Sequence, residues 1–258
     1  MHVYFHIFGL SIPAYGTMIA LGVLIANIIG LIIISKDKKD KYDFVLVESY
    51  AALGGFLGAK ILYLIVSAKD IEWGRVFSDF DYFNTILRSG FVFYGGLIGG
   101  LLSVFLAGKV HKIDLKYYVI RLIFLIPLIH GFGRIGCFCA GCCYGVPYDG
   151  PLAVCFPHGS FAIPGVKLFP VQIVEAIFLI LISLIVMFIS LKLKSRFTVE
   201  SYLILYAILR FILENYRYDE DRGIYFGLST SQWISIFMVV ASVVSIIIRI
   251  SKAKEKAA

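Results

Sequence analysis

Seven runs of about 20 predominantly apolar residues divide this chain, and a run of that length is what a helix needs to cross the hydrocarbon core of a bilayer. They cover approximately Ile12–Ser35, Phe44–Val66, Val92–Val110, Tyr117–Arg134, Val171–Leu191, Val199–Tyr216 and Ser231–Ile250. No stretch between them is long enough for a separate soluble domain. Hydrophobic residues make up 60% of the sequence, against about 45–50% for a soluble domain, and so much apolar mass has to face lipid. The expected fold is an all-α integral membrane protein, a seven-transmembrane-helix bundle forming a single transmembrane domain over residues 1–258. Pro127 falls inside the fourth run, where membrane helices tolerate it. The N-terminus lacks the Lys/Arg-rich start of a signal peptide, so the first run is expected to be a retained helix.

Charge sets the expected orientation. The chain carries 24 Lys plus Arg against 17 Asp plus Glu. Lys36, Lys38, Lys39 and Lys41 fill the first connection, and Lys109, Lys112, Lys116 and Arg121 surround the third. Lys192, Lys194 and Arg196 fill the fifth, and Arg249, Lys252, Lys254 and Lys256 mark the C-terminus. The remaining connections hold only Lys69, Arg75, Arg88, Lys167, Arg217 and Arg222, over longer segments. The positive-inside rule then places the C-terminus in the cytoplasm and, with seven spans, the N-terminus outside. Basic residues in short clusters form no continuous face, which argues against nucleic acid as a partner.

Two outer-face connections are long, near residues 67–91 and 135–170. The first interleaves Asp70, Glu72, Asp79 and Asp81 with Trp73, Phe77, Phe80, Tyr82 and Phe83. That mixture suits a segment lying at the membrane interface, a plain solvated loop being the alternative. Gly54, Gly55 and Gly58 in the second span, and Gly95, Gly96, Gly99 and Gly100 in the third, have the small-residue spacing that lets helices approach closely.

Ionisable groups at membrane depth are costly, so each marks a candidate site. On the expected topology His130 and Arg134 fall at the outer end of the fourth span. Tyr206, Arg210, Glu214 and Arg217 follow at spacings of 4, 4 and 3 and share one face of the sixth. Lys60 and Tyr63 in the second span, Tyr15 in the first and Tyr94 in the third lie in the same outer half. Arg210 and Glu214 could instead simply pair across one turn, and arginines near helix ends can snorkel to the interface. Taken as a site, two planar guanidiniums among tyrosine hydroxyls suit phosphate oxygens. In an apolar bundle open to lipid, the fitting ligand is a phospholipid head group.

One segment is more specific than composition. His130-Gly131-Phe132-Gly133-Arg134-Ile135-Gly136-Cys137-Phe138-Cys139-Ala140-Gly141-Cys142-Cys143-Tyr144-Gly145 resembles the signature of bacterial prolipoprotein diacylglyceryl transferases, G-R-I-G-N-F-x-N-G-x-x-x-G. Further elements follow in the family's order. Ile12-Pro13-Ala14-Tyr15-Gly16 resembles the entry to the first helix, and Leu53 to Gly58 a G-G-R-x-G element. Arg88 to Gly96 is similar to R-x-G-G-M-x-F-H-G-G, and Pro170 to Glu175 to P-x-Q-x-Y-E. Tyr206 to Arg217 is similar to Y-x-x-x-R-F-x-x-E-x-x-R, and Ser231 to Ser235 resembles S-x-x-Q-x-x-S loosely.

The resemblance implies transfer of a diacylglyceryl group from phosphatidylglycerol to the lipobox cysteine of a prolipoprotein at the outer face of the bacterial cytoplasmic membrane. Glycerol phosphate leaves, and no metal or cofactor is needed. It implies catalytic roles for Arg134, Arg210, Tyr94 and Glu214. Substrate binding falls to Tyr15, Gly136, Cys137, Gly145, Tyr206, Arg217, Gln172 and Glu175. The chain departs from the pattern in several places. Tyr94 stands where the family has a histidine proposed as base, and a tyrosine with its pKa near 10 is a poor base at neutral pH. Cys137 and Ala140 replace two asparagines, Phe56 replaces an arginine, and the acidic residue expected near Cys142 is missing. The arginines persist while the acceptor side changes. A sister transferase with another acceptor, such as a glycan receiving glycerophosphate, and a lipid-binding or lipid-moving protein without catalysis therefore stand beside the main reading. The five cysteines, 137, 139, 142, 143 and 155, are open to four readings: buried small hydrophobes, disulfides, a nucleophile, or metal ligands drawn from Cys137, Cys142, Cys155 and His158.

Overall fold

The computed structural model of the chain describes residues 3–7, 10–218 and 223–255; Arg222 and Lys256 lie outside the described residues. Ten α-helices carry most of them, in the order α1 Ala14–Lys36, α2 Lys41–Val66, α3 Trp73–Ser78, α4 Phe80–Arg88, α5 Phe93–Val110, α6 Leu115–Leu122, α7 Leu125–Ala140, α8 Val171–Leu191, α9 Thr198–Leu213 and α10 Thr230–Glu255. Short antiparallel strand pairs trim the connections: β1 Tyr4–Ile7 with β2 Leu10–Pro13, β3 Val154–Cys155 with β4 Lys167–Leu168, and β5 Ile224–Tyr225 with β6 Leu228–Ser229.

Five helices, α1, α2, α5, α8 and α10, are long and apolar enough to cross a membrane, and α6 with α7 makes a sixth if the bent pair counts as one span. The two segments of that pair meet at 51°. Pro127 is the physical cause, since it has no N–H to offer the carbonyl four residues back and its ring crowds that carbonyl. Neighbouring α8 meets the break: Ser183 Oγ donates to the Phe124 carbonyl at 2.8 Å. The run expected over 199–216 ends as a helix at Leu213, followed by a 3-10 turn Glu214–Tyr216. At 16 residues, α9 is shorter than the helices that qualify as spans by themselves.

Two compact units make up the chain, Leu31–Tyr117 and the pair of segments Met1–Gly30 and Tyr118–Ala258. In the Leu31–Tyr117 unit α2 packs along α5 through facing glycines. A Cβ at Gly58 would overlap the Gly95 carbonyl, and one at Gly54 would overlap Ser103 and the Gly99 carbonyl. Only glycine lets the two backbones lie this close. Lys60 reaches from α2 to the end of α4. Its Nζ donates to the carbonyls of Ile86 and Ser89, the latter at 2.6 Å, and so closes the C-terminal end of α4. The segment between α2 and α5 is two short helices. Asp79 caps α4 by accepting from the amides of Asp81 and Tyr82 at 3.0 and 3.1 Å. These bonds, Tyr82's first, and Arg75 Nε at 3.0 Å hold its carboxyl below the usual carboxylate range.

In the other unit α7 packs on α8, α8 on α9 and α9 on α10. Helix α7 runs six residues past Arg134, so the first part of the connection expected from residue 135 is helical. Burial of Gly136 and Cys137 supports that extension. Beyond it, Phe156, Ala162 and Leu168 form a small core with Phe138 and Tyr144.

Candidate active site

The site is built at the end of α7, where helix geometry puts His130 and Arg134 one turn apart on one face. Opposite them Glu175, in the first turns of α8, is only 1% exposed. Arg134 Nε lies 2.9 Å from Glu175 Oε2, Arg217 Nη1 lies 3.9 Å from the same oxygen, and His130 Nε2 lies 3.9 Å from Oε1. A single buried carboxylate thus faces three basic side chains from two other elements. Such a charge is tolerated in an apolar interior only because it is compensated.

A second carboxylate sits beside it. Glu214 Oε2 is 2.9 Å from Arg210 Nη2, the turn-to-turn pairing that the spacing allows. The contact does not end there. Ser229 Oγ donates to Glu214 Oε1 at 2.7 Å, and Arg210 Nη2 donates to Ser231 Oγ at 3.1 Å, so both partners are held from the start of α10. Gln232 accepts the Ser229 amide at 3.0 Å and closes this small network. Ser229, Ser231 and Gln232 were not among the sequence-derived site residues, and the loose S-x-x-Q pattern was the only signal that could have found them.

Tyr206 joins the two halves. Its ring lies 5.7 Å from that of His130, and its hydroxyl is within electrostatic range of Glu175, Arg210, Arg134 and Arg217. Three guanidiniums therefore face two carboxylates. Arg210 Nη1 is buried with no hydrogen-bond partner. An unmet buried donor costs free energy unless something accepts from it.

Two glycines set the geometry around this cluster. A Cβ on Gly136 would come within 3.0 Å of the Tyr15 carbonyl oxygen, so glycine there lets α7 lie against the first turn of α1 and bring Tyr15 alongside. Gly145 threads between the Phe169 and Tyr216 carbonyls, where any side chain would collide, and bridges Arg217. The loop pairs on through Val146 N to Tyr216 O at 3.0 Å and Tyr218 N to Tyr144 O at 3.2 Å. This pairing places Arg217, which follows the 3-10 turn after α9, next to the signature loop.

That loop carries three of the cysteines. All five are free thiols. The sulfurs of Cys137, Cys142 and Cys143 lie within 4.8 Å of one another. Cys155, on β3, is exposed and outside this group. Gln172, fully buried in the first turn of α8, donates from Nε2 to the Cys142 carbonyl at 2.9 Å. Hydrogen bonds from Cys137 and Cys142, then the charges of Arg134 and Arg217, push the Cys143 thiol below the ordinary thiol range. The same shared bonds push Cys142 above it.

Eleven of the twelve sequence-derived site residues lie in the unit that holds this cluster: Arg134, Arg210, Glu214, Tyr15, Gly136, Cys137, Gly145, Tyr206, Arg217, Gln172 and Glu175. Tyr94 belongs to the Leu31–Tyr117 unit, in the first turn of α5, half exposed and edge-on to Phe93.

Comparison with known proteins bears on nearly the whole chain. The family model described as prolipoprotein diacylglyceryl transferase matches residues 2–248. A phosphatidylglycerol–prolipoprotein diacylglyceryl transferase of Clostridium tetani is 39% identical over 246 residues, covering 93% of this chain and 94% of its own length. A second enzyme of that name from Clostridium perfringens is 36% identical, covering 92% of this chain and 91% of itself. One from Helicobacter pylori is 30% identical, with 92% and 89% covered.

Proposed function

The chain belongs to the prolipoprotein diacylglyceryl transferase family, and we propose that it moves the diacylglyceryl group of phosphatidylglycerol onto the lipobox cysteine of a prolipoprotein. The acceptor sulfur attacks the glyceryl carbon, the carbon–oxygen bond to phosphate breaks, and glycerol phosphate leaves. The chemistry asks for stabilisation of charge developing on the leaving phosphate, which preorganised guanidiniums supply well in a water-poor site.

The observation that carries the reading is the buried, unpartnered Nη1 of Arg210 within a cluster of three guanidiniums and two carboxylates. Arg134 meets Glu175 through Nε, and its terminal nitrogens are proposed to turn toward the anion. Arg210 offers Nη1 in the same way. Both are the proposed phosphate holders, with the Tyr206 hydroxyl as a neutral donor between them. Glu175 and Glu214 act as positioning residues that fix the guanidinium planes. Tyr15, Arg217, Gln172 and the signature loop from Gly136 and Cys137 to Gly145 are proposed to shape the substrate pocket. Tyr94, at the family's histidine position, is proposed as a further catalytic residue.

The membrane arrangement is proposed on the same footing. Seven spans result if the bent α6–α7 pair counts as one and α9 with its 3-10 extension as another. The basic clusters then put the C-terminus in the cytoplasm and the arginine cluster on the extracytoplasmic side of the cytoplasmic membrane. The 67–91 and post-α7 connections face outward as parts of one transmembrane domain.

Purified chain in phosphatidylglycerol-containing vesicles, supplied with a lipobox peptide, should yield a peptide whose mass rises by one diacylglyceryl group, with glycerol phosphate released in equal amount. Expression should also rescue a bacterial strain depleted of its own transferase. A peptide that stays unmodified, in a preparation that retains its fold and fails to rescue, defeats the reading. Head-group label recovered on a glycan would instead identify the sister reaction.

A further inference from the structure

The signature loop does something at its three cysteines that the arginine cluster does not need. Helix α7 ends at Gly141, whose φ of 76° is open to glycine at little cost. Its amide donates to the Phe138 carbonyl at 3.2 Å, and the Cys142 amide donates to the Cys137 carbonyl at 3.1 Å. This paired closure is the Schellman motif, and it folds Cys142 back over Cys137. Cys143 then takes a left-handed φ of 55°, a conformation that a residue with a side chain adopts at a cost of about 1–2 kcal/mol. Backbone strain of this kind gathers at functional sites. From the other side, Gln172 holds the Cys142 carbonyl, while its own Oε1 is buried with no hydrogen-bond partner. Three backbone devices and one buried amide thus converge to bring three sulfurs together, one buried and two half-buried, in a place where plain packing asks only for small hydrophobes.

We infer that Cys137, Cys142 and Cys143 form a three-thiolate site for a thiophilic divalent cation of the zinc type, with its fourth position open toward the substrate. Tetrahedral zinc with sulfur at about 2.3 Å sets its ligand sulfurs about 3.8 Å apart. Sulfurs already within 4.8 Å of one another close to that geometry by roughly 1 Å or less. The donor set is soft, which selects zinc over the hard cations magnesium and calcium. Arg134 and Arg217 lie within electrostatic range of the Cys143 sulfur and offset the negative charge that three thiolates around a dication carry. Tyr15 lies in range of all three sulfurs and of Arg134, so the thiols adjoin the proposed phosphate site. An open fourth position in a three-ligand site is the arrangement of catalytic rather than structural zinc.

The role follows from the proposed transferase reading and rests on it. An acceptor thiol that takes the fourth position gives up its proton to solvent. Its sulfur is then presented as a thiolate and attacks the glyceryl carbon, and the phosphate departs with the electron pair of the broken carbon–oxygen bond. The cation supplies what Tyr94, at the family's histidine position, is too weak a base to supply. Cys137, at the position of one signature asparagine, and Cys142 and Cys143, beside the place of the missing acid, thereby take over activation of the acceptor.

The test uses the full chain purified in detergent without chelators. Elemental analysis should find about one zinc per chain, and Co²⁺ exchanged into the protein should show the intense near-ultraviolet thiolate-to-metal absorption of a tetrahedral sulfur site. Competition with a chromogenic chelator should show Zn²⁺ affinity falling at least about tenfold in Cys137→Ser, Cys142→Ser and Cys143→Ser. Cys139→Ser and Cys155→Ser should stay near wild type. Absence of the Co²⁺ absorption in the wild-type chain, or equal affinity across all five variants, overturns the site whatever the variants do to folding. Transferase activity that persists in protein shown to be metal-free overturns the role and leaves diacylglyceryl transfer standing. Stoichiometric zinc in a chain that alkylates no peptide leaves the site standing and removes the transferase reading.

Discussion

Two regions of this molecule bring helices together by opposite means. In the Leu31–Tyr117 unit, α2 and α5 meet through Gly54, Gly58, Gly95 and Gly99, with backbone lying against backbone. In the other unit, α7, α8 and the end of α9 meet through Arg134, Glu175 and Arg217, with charge against charge. Lipid removes the hydrophobic drive between helices, so each contact needs another source of attraction. Close van der Waals packing is one such source, and it carries no polar cost. Buried ion pairing is the other, and it holds only while every partner is present. The first contact is a scaffold. The second stores desolvated charge, the feature on which the proposed phosphate site rests.

The comparison breaks most severely at Glu175. Glu175→Ala leaves Arg134, Arg217 and His130 facing one another without their shared carboxylate, and should lower stability by about 3–5 kcal/mol, read by thermal unfolding in detergent. A loss below about 1 kcal/mol would mean that the cluster is solvated and not the charged contact described. Arg134→Lys keeps the charge but loses the planar fork. Transfer to a lipobox peptide should fall roughly 100- to 1,000-fold while the unfolding midpoint moves little. Near-normal activity would remove Arg134 from the phosphate site. Gly58→Ala presses a methyl group into the Gly95 carbonyl and should cost about 1–3 kcal/mol through overpacking alone. In membranes enriched in phosphatidylglycerol the surviving folded fraction should still transfer, which separates scaffold from site.

The smallest effect is expected at Asp79, an exposed cap. Its carboxyl is held below the usual range by the Tyr82 and Asp81 amides and by Arg75. A depressed folded-state pKa contributes stability above the unfolded value, near 3.9, that is lost as pH falls through the folded one. Protection of the Asp81 and Tyr82 amides against hydrogen exchange should therefore persist at neutral pH and fade only in acid. Asp79→Asn should speed their exchange by roughly a few-fold at neutral pH, with transfer unchanged. Protection of these two amides, relative to their intrinsic exchange rates, that stays constant from neutral pH into acid would show that the carboxylate plays no part in the cap.

The two regions also differ in how far the sequence discloses them. Glycines four residues apart announce a close helix contact by their spacing, and Gly54, Gly58, Gly95 and Gly99 make that contact. The apolar run Val171–Leu191 coincides with α8, because sustained hydrophobicity is a local property that lipid alone rewards. The end of α7 was less legible. Gly131, Gly133 and Gly136 weaken helix propensity, yet contacts with α8 and Tyr15 bury the segment and carry the helix on to Ala140. Cysteine grouping failed in a related way. Spacing permitted Cys137, Cys142, Cys155 and His158, whereas the left-handed turn at Gly141 and Cys143 gathers 137, 142 and 143.

The sequence by itself determined that this chain lives in a membrane, where most of its apolar helices begin and end, though neither the break between α6 and α7 nor the end of α7, and which family it joins, since sustained hydrophobicity and ordered motifs are written along the chain. It also singled out Arg134, Arg210 and Glu214 by type and spacing, and Glu175 through the family resemblance. Only the tertiary structure decided that Glu175 answers Arg134, Arg217 and His130 together, that Ser229 and Ser231 hold the Arg210 pair, and that three thiols share one corner. Those partnerships join residues from α7, α8, α9 and α10, and desolvated charges pair by distance in space, which the order of residues does not encode.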